Sequence, residues 1–370
     1  MKVICNRKSL LDAVAAVGSA VASRTPTPVL QCVKLSAAEG VLTLAATDLE
    51  VGLRKGVEQV EVEDAGEALI PADKITQIVR ASDDPTLTIE TDDHTLHIKG
   101  EDSHFKVFGH DPKEAPEVRG FDGDNLDCQI EAGVLHSLVA RTLFAAAAEH
   151  GRYAINGVLF ERDGKMVRMV ATDGRRLAVA RGQCSSGEGK KTCILPIKAL
   201  NLLNRLAGGI EATVSVVVED NQALFCVGEG AEAAILSSNL VEGQFPPFED
   251  VVPKDQDKRV TLNAQALNSA LRRAALLTNE ESKGVRLSFA QEQLTITSLA
   301  PEMGEAEICL APARYEGDPL EISFNSGFIT DALKVIDDAE IIIELKASNK
   351  PGVIRAGNDF AYVLMPVNLT

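Results

Sequence analysis

The segment Ser186-Gly-Glu-Gly-Lys-Lys-Thr192 has the glycines and lysines of a phosphate-cradling loop. A loop of the G-x-x-x-x-G-K-[ST] type needs a glycine five places before Gly189, and Cys184 stands there, so a flexible loop is expected. His94, His97, His104 and His110 lie near Asp92 and Asp93, residue types that ligate metals. Positions 94 and 97 of a strand face opposite sides, so scattered surface histidines are expected, with no metal and no cofactor. Thr172-Asp-Gly-Arg-Arg-Leu177 is the most distinctive segment. Its Asp-Gly reads as a tight turn, and its arginine pair could bind phosphate. Nothing adjacent supplies a nucleophile or a paired acid, and neither H-E-x-x-H nor G-x-S-x-G occurs. Cys5, Cys32, Cys128, Cys184, Cys193, Cys226 and Cys309 are odd in number and widely spaced, which fits reduced thiols of a cytoplasmic protein. A non-catalytic protein is expected. An enzyme built on Asp173, Arg175 and Arg176 would declare itself by turnover lost in Asp173→Asn.

Three similar pieces position these residues. The acidic, proline-bearing stretches His110–Asp127 and Glu242–Lys258 read as linkers and leave pieces of about 125, 130 and 115 residues. Each piece opens with a strand, a polar turn and an amphipathic helix: KVICNRKSLLDAV, DCQIEAGVLHSLV and RVTLNAQALNSAL. Each continues with a hairpin pattern, a second helix (LIPADKITQIVRAS, ILPIKALNLLNRLAGG, ISFNSGFITDALKVID) and further alternating strands. Ala46-Thr-Asp48 recurs as Ala171-Thr-Asp173, and Pro71 as Pro196, both 125 residues later. The third copy is looser, with offsets of 252 to 257. A period this long means duplicated domains. Leu10–Ser23 imitates the apolar core of a signal peptide, but Asp12 and the apolar spacing at 10, 14, 17 and 21 favour a domain helix. No apolar stretch is long enough to suggest a transmembrane helix.

Charge is unevenly distributed along these elements. The 370 residues include 37 Lys and Arg against 54 Asp and Glu, a net of −17. That total excludes a simple basic coat for DNA but not DNA itself. At 45% hydrophobic residues the chain is not disordered, and with no Trp and 4% aromatics a base-stacking platform is not expected. The spacing predicts helices over 9–22, 72–82, 134–148, 197–207, 265–278 and 326–336. They hold Lys74, Arg80, Arg141, Lys198, Arg205, Arg272, Arg273 and Lys334 against Asp12, Asp73 and Asp331, a net of +5. The remaining 29 basic and 51 acidic residues net −22. Helical projection turns Arg141, Lys198, Arg205 and Lys334 away from the apolar stripes. A segregated positive surface, able to neutralise phosphates without reading bases, is expected.

With these elements in order, the whole chain resembles the bacterial sliding-clamp family, the beta subunits of DNA polymerase III. The resemblance is carried by Thr25-Pro-Thr-Pro-Val-Leu30, Thr43-Leu-Ala-Ala-Thr-Asp-Leu-Glu50, Arg152-Tyr-Ala-Ile-Asn-Gly157, Ala171-Thr-Asp-Gly-Arg-Arg-Leu-Ala178, Gly243-Gln-Phe-Pro-Pro247 and Tyr362-Val-Leu-Met-Pro366. It implies an α+β DNA-clamp fold of three repeated domains, each with two helices on antiparallel sheets, at 1–120, 127–246 and 257–370. Two chains would close head to tail as a dimeric ring around double-stranded DNA. The function implied is processivity in DNA replication, with the alpha subunit of polymerase III, the clamp loader and other polymerases and repair proteins as partners, and no membrane. Arg24, Lys198 and Arg205 match DNA-facing positions, and the other helix bases join them on the helical reading.

The resemblance also implies a partner-peptide pocket of Ile155, Thr172, Gly174, Arg175, Arg176, Leu177, Pro246, Val251, Val363, Met365, Pro366 and Val367, an apolar cleft with a polar rim. Ala154 stands where the family often has an aromatic, Arg175 where His is common, and Asn368 and Thr370 alter the usual tail. The implied dimer interface sets Leu276 and Leu277 of one chain against Phe105, Val107, Ile78 and Lys74 of the other, with Glu302, Glu305 and Glu307 complementing Lys74. Independently of resemblance, Leu276 lies off the apolar stripe of its helix and so needs an explanation. The competing reading is a scaffold of repeated α+β domains that binds only proteins. The helix charge argues against it.

Overall fold

The computed structural model describes residues 1–123, 126–147, 154–208, 211–279, 283–301 and 303–369. It divides into two units of similar size: 1–136 with 184–188 and 198–240, and 137–183 with 189–197 and 241–370. The middle repeat is therefore shared between them.

Among the described residues six α-helices form, named in chain order α1 (Arg7–Gly18), α2 (Ala72–Ala81), α3 (Ala132–Leu143), α4 (Ile197–Ala207), α5 (Ala264–Ala274) and α6 (Ser326–Leu333). Their ends differ from the spacing-based spans for identifiable reasons. The Asn6 side chain accepts the backbone N–H groups of Lys8 (3.0 Å) and Ser9 (3.2 Å), so α1 starts at Arg7 rather than at residue 9. Asn263 and Asn325 cap α5 and α6 in the same way. α5 tightens at its end into a 3-10 turn, Ala275–Leu277, which the apolar periodicity alone reads as continued helix. α6 stops at Leu333, leaving Lys334 as its cap rather than inside it. α3 ends at Leu143, five residues short of the expected 148, a position outside the described residues. α1 buries Leu10, Ala13, Val14 and Val17, and α5 buries Leu267, Ala270, Leu271 and Ala274, the i, i+3, i+4, i+7 stripe in each case.

All strand pairings in the named sheets are antiparallel. In the first unit, one five-stranded sheet runs in the order Val60–Asp64, Lys2–Asn6, Thr86–Asp92, Thr95–Lys99, His104–Phe108. The nine-stranded sheet of that unit has two sections. Gly66–Pro71, Cys32–Ala38, Val41–Thr47 and Val51–Gly56 come from the first repeat. Ala234–Asn239, Gln222–Val227, Thr213–Val218, Cys128–Glu131 and Ser186–Gly187 come from the middle one. The two sections join where Val51–Gly56 pairs with Ala234–Asn239.

The second unit repeats this scheme. Lys190–Pro196, Gly157–Asp163, Met166–Thr172 and Arg176–Gln183 of the middle repeat join Phe360–Leu364, Gly352–Ala356, Glu340–Leu345, Lys258–Asn263 and Arg314–Glu316 of the last. The joint is Arg176–Gln183 against Phe360–Leu364. A four-stranded sheet, Leu320–Asn325, Gly284–Phe289, Leu294–Ala300 and Gly304–Leu310, completes the unit. Each repeat thus contributes one set of four strands and one of five. Each internal joint sets the edge of a four-strand set against the edge of a five-strand set.

Candidate nucleic-acid interface, peptide pocket and chain edges

The helix bases fall into two groups. Arg24, Lys74, Arg80, Arg205, Arg272, Arg273 and Lys334 are exposed. Arg80, Arg205, Arg272 and Arg273 lie in the last turns of their helices, where a cation is also favoured by the partial negative charge of the helix C-terminus. Arg141 and Lys198 depart from the solvated positions that helical projection gives them. Arg141 is largely covered, stacks 5.8 Å from the Phe360 ring centre and lies 3.8 Å from Asp338. Lys198 donates to the Asp48 carboxylate and to the Ala20 carbonyl (3.2 Å). The projection finds the side of a helix that faces its own core, but not an acid supplied from 150 residues away in sequence. Arg7 and Lys8 also join the helical set, through the Asn6 cap that periodicity overlooked.

Burial pushes the Asp48 carboxyl up, but the Lys198 ammonium and the Val51 and Glu50 N–H groups outweigh it and hold the group below the ordinary carboxylate range. Its contribution to stability is complete above the unfolded carboxylate pKa of about 3.9 and is lost as pH falls through the lower folded value. Asp48→Asn should cost about 1 kcal/mol at neutral pH. The gap between the two proteins in urea unfolding should close as pH falls below about 4. A gap that persists undiminished to pH 2 would show that charge is not its source.

The Thr172–Leu177 turn is built by its own side chains. Thr172 Oγ1 donates to the Arg176 carbonyl (2.7 Å) and accepts the Gly174 N–H (3.1 Å). Asp173 Oδ1 accepts the N–H groups of Arg175 (2.9 Å) and Arg176 (3.0 Å). Gly174 sits at φ +84°, which favours glycine. The same turn recurs 125 residues earlier, where Thr47 Oγ1 donates to the Val51 carbonyl and Asp48 Oδ1 accepts the Glu50 and Val51 N–H groups. There Leu49 holds the left-handed position, φ +80°.

Behind the later turn lies an apolar cluster: Ala154, Leu159, Val170, Leu177, Val179, Ile194, Phe248, Val353 and Val363, with Val241, Phe245 and Val252 packed on it. Leu177 and Val363 are register partners and buried. Val251 and Met365 are exposed apolar side chains, at 46% and 43%. The Met365 N–H donates to the Arg175 carbonyl (3.0 Å), tying the chain end to the turn. Ile155, Pro246, Pro366 and Val367 are half-buried, and Arg175 is exposed. Arg176 differs from a polar rim residue, because its guanidinium is turned inward and paired within the protein. Arg152 and Tyr153 of the family-like segment lie outside the described residues.

Of the strands that end the four sheets, two are equivalent to the edges joined inside the chain and pair with no further strand among the described residues: His104–Phe108 in the first unit and Gly304–Leu310 in the second. Apolar side chains crowd both. Phe105 is 39% and Phe108 79% exposed. Leu276, Leu299 and Met303 are exposed beside the other edge, Leu276 at 76%. Val107 departs from its expected place in an interface. It faces the core at 7% exposure, because the strand alternates and Val107 takes the inward side. Phe108, which was not anticipated, takes the outward one. Ile78 and Leu277 are half-buried. Of the acids expected here, Glu305 and Glu307 are on the edge strand, and Glu302 lies outside the described residues.

His97 and His104 stack with ring nitrogens 2.9 Å apart, an imidazole pair rather than a ligand set. Among the described residues no group of three or more His, Cys, Asp and Glu is placed to hold a metal ion, and no helix is long and apolar enough to cross a membrane. No cysteine is in a disulfide among the described residues, and burial pushes the Cys5 thiol up to about 12.

Three α+β repeats joined through shared antiparallel sheets define a three-domain clamp fold. Family models of the DNA polymerase III beta subunit match the N-terminal domain at residues 1–119, the central domain at 129–247 and the C-terminal domain at 249–368. The beta sliding clamp of Pseudomonas putida is 36% identical over 371 residues, 98% of each chain. That of Escherichia coli K12 is 30% identical over 372 residues, all of each chain. Among solved structures, the DNA polymerase sliding clamp of Bacillus subtilis superposes with a TM-score of 0.93 at 26% identity. A Pseudomonas aeruginosa sliding clamp bound to griselimycin superposes at 0.91 and 32%, and both cover the whole of each chain. The chain belongs to the DNA polymerase III beta subunit family, the bacterial sliding clamps.

Proposed function

We propose that two copies of this chain close head to tail into a ring around duplex DNA and tether the replicative polymerase and other replication and repair proteins to it. Its three domains are taken as 1–120, 127–246 and 257–370. The observation that carries this reading is the joint scheme. Both internal joints set a four-strand edge against a five-strand edge. The edges equivalent to those joined, but left without a partner strand among the described residues, are Gly304–Leu310 in the last repeat and His104–Phe108 in the first. Adding the same joint between two copies uses both edges twice and closes the assembly. It also covers backbone edges that would otherwise invite aggregation. His104 and Lys106 on one strand suit Glu305 and Glu307 on the other.

In this reading Arg24, Lys74, Arg80, Arg205, Arg272, Arg273 and Lys334 supply weak phosphate contacts. Arg141 and Lys198 contribute less, since they are half-buried as well as paired within the chain. No residue is assigned a catalytic role. Sliding needs an encircling contact without base readout, so retention depends on topology rather than affinity. Family membership favours this reading over a scaffold that binds only proteins.

The test is retention on DNA. After loading by the clamp loader, the protein should stay on closed circular DNA at salt that disrupts phosphate contacts, and should leave quickly once the DNA is linearised. Equal retention on both forms would overturn encirclement.

A further inference from the structure

Arg176 belongs to the pocket turn, yet its side chain is 11% exposed and each of its three guanidinium nitrogens is hydrogen-bonded within the protein. Nε donates to Asp173 (3.0 Å), Nη1 to Asp331 (2.9 Å) and Nη2 to the Phe144 carbonyl (2.8 Å). One face lies 4.4 Å from the Phe328 ring centre, and the Phe144 ring centre is 5.5 Å away. Phe328 and Asp331 are three residues apart on α6, hence on one side of it. At the other end of the guanidinium, Asp173 also holds the Arg175 and Arg176 N–H groups, and the Arg175 carbonyl receives Met365. Contacts therefore run unbroken from α6 to the backbone that presents Gly174, Arg175 and Met365. The guanidinium's charge is already matched by two carboxylates within the protein.

We propose that Asp331 and Phe328 are positioning residues of the peptide pocket, anchoring Arg176 inside the protein as a strut so that the Thr172–Leu177 turn is preformed. The proposal rests on the peptide-pocket reading and extends that site to a helix outside it. A preformed turn lowers the ordering cost of binding. Lys334 bonds the other Asp331 oxygen (2.9 Å) but is 65% exposed and touches none of the pocket residues through that bond, so it is dispensable to the strut.

The test uses the full chain and a fluorescent peptide with Leu and Phe anchors. Asp331→Asn should weaken peptide binding about tenfold. In an Arg176→Met background, Asp331→Asn should add almost nothing, because the two act as one unit. Without peptide, amide hydrogen exchange of residues 172–177 and of Met365 should be faster in Asp331→Asn and in Phe328→Leu than in the parent. Unchanged exchange in both, or additive losses from Arg176→Met and Asp331→Asn, would overturn the strut. If the parent binds no peptide, the pocket reading fails, and the exchange measurement still decides the strut.

Discussion

Leu276→Asp should convert a dimer into a monomer at micromolar concentration, seen as a halved mass in sedimentation equilibrium. Leu276 is 76% exposed in the single chain, so the substitution removes no internal packing, and the thermal midpoint of the monomer should hold. In the proposed joint the same side chain is buried among Leu299, Met303 and the partner's phenylalanine side chains. An aspartate there would be desolvated among apolar side chains, at a cost of about 3 kcal/mol, more than a hundredfold in the dimer constant. Each closed ring contains the joint twice, so the loss is felt at both ends. A variant that still sediments as a dimer would exclude the Gly304–Leu310 edge and its flanking side chains from the interface. Phe108→Asp offers the reciprocal measurement on the other edge, and Val107, being inward, should instead lower monomer stability when truncated.

The edges also mark the limit of what the sequence conveys. Local signals held well. The apolar stripes of α1 and α5 and the turn at Thr172–Leu177 are written in residues a few positions apart, as are the Asn caps that the apolar spacing passed over. The 125-residue offset that aligns Asp48 with Asp173 reappears as two turns with the same hydrogen bonds. What was not legible depends on partners distant in sequence. The joint of Val51–Gly56 with Ala234–Asn239 brings together strands about 180 residues apart, and nothing in either strand names the other. Lys198 projects from the polar side of α4, but Asp48 from another repeat takes its charge. Arg176 carries the residue type of a ligand contact, yet Asp331, 155 residues on, turns it into an internal group. Burial of Val107 rather than Phe108 follows from strand alternation, and a family-based carry-over of single positions passes over it.

Met365→Asp should abolish peptide binding and leave the dimer intact. Met365 follows the strand Phe360–Leu364, which lies in the interior of its nine-stranded sheet and not at either edge of it. Its side chain is 43% exposed, so an aspartate is solvated in the free protein and the fold tolerates it. Its backbone N–H still reaches the Arg175 carbonyl, so the turn stays anchored. A bound peptide changes the balance. Its apolar anchors would seal Met365 against the Leu177 and Val363 cluster, and a carboxylate in that place would lose its water with no cation to replace it. Arg176 cannot serve as that cation while Asp173 and Asp331 hold it. A penalty of about 3 kcal/mol takes a micromolar complex beyond detection in an anisotropy titration. Unchanged affinity would remove Met365 from the pocket. Loss of peptide binding in Met365→Asp beside loss of the dimer in Leu276→Asp, each without the other effect, would separate tethering from ring closure.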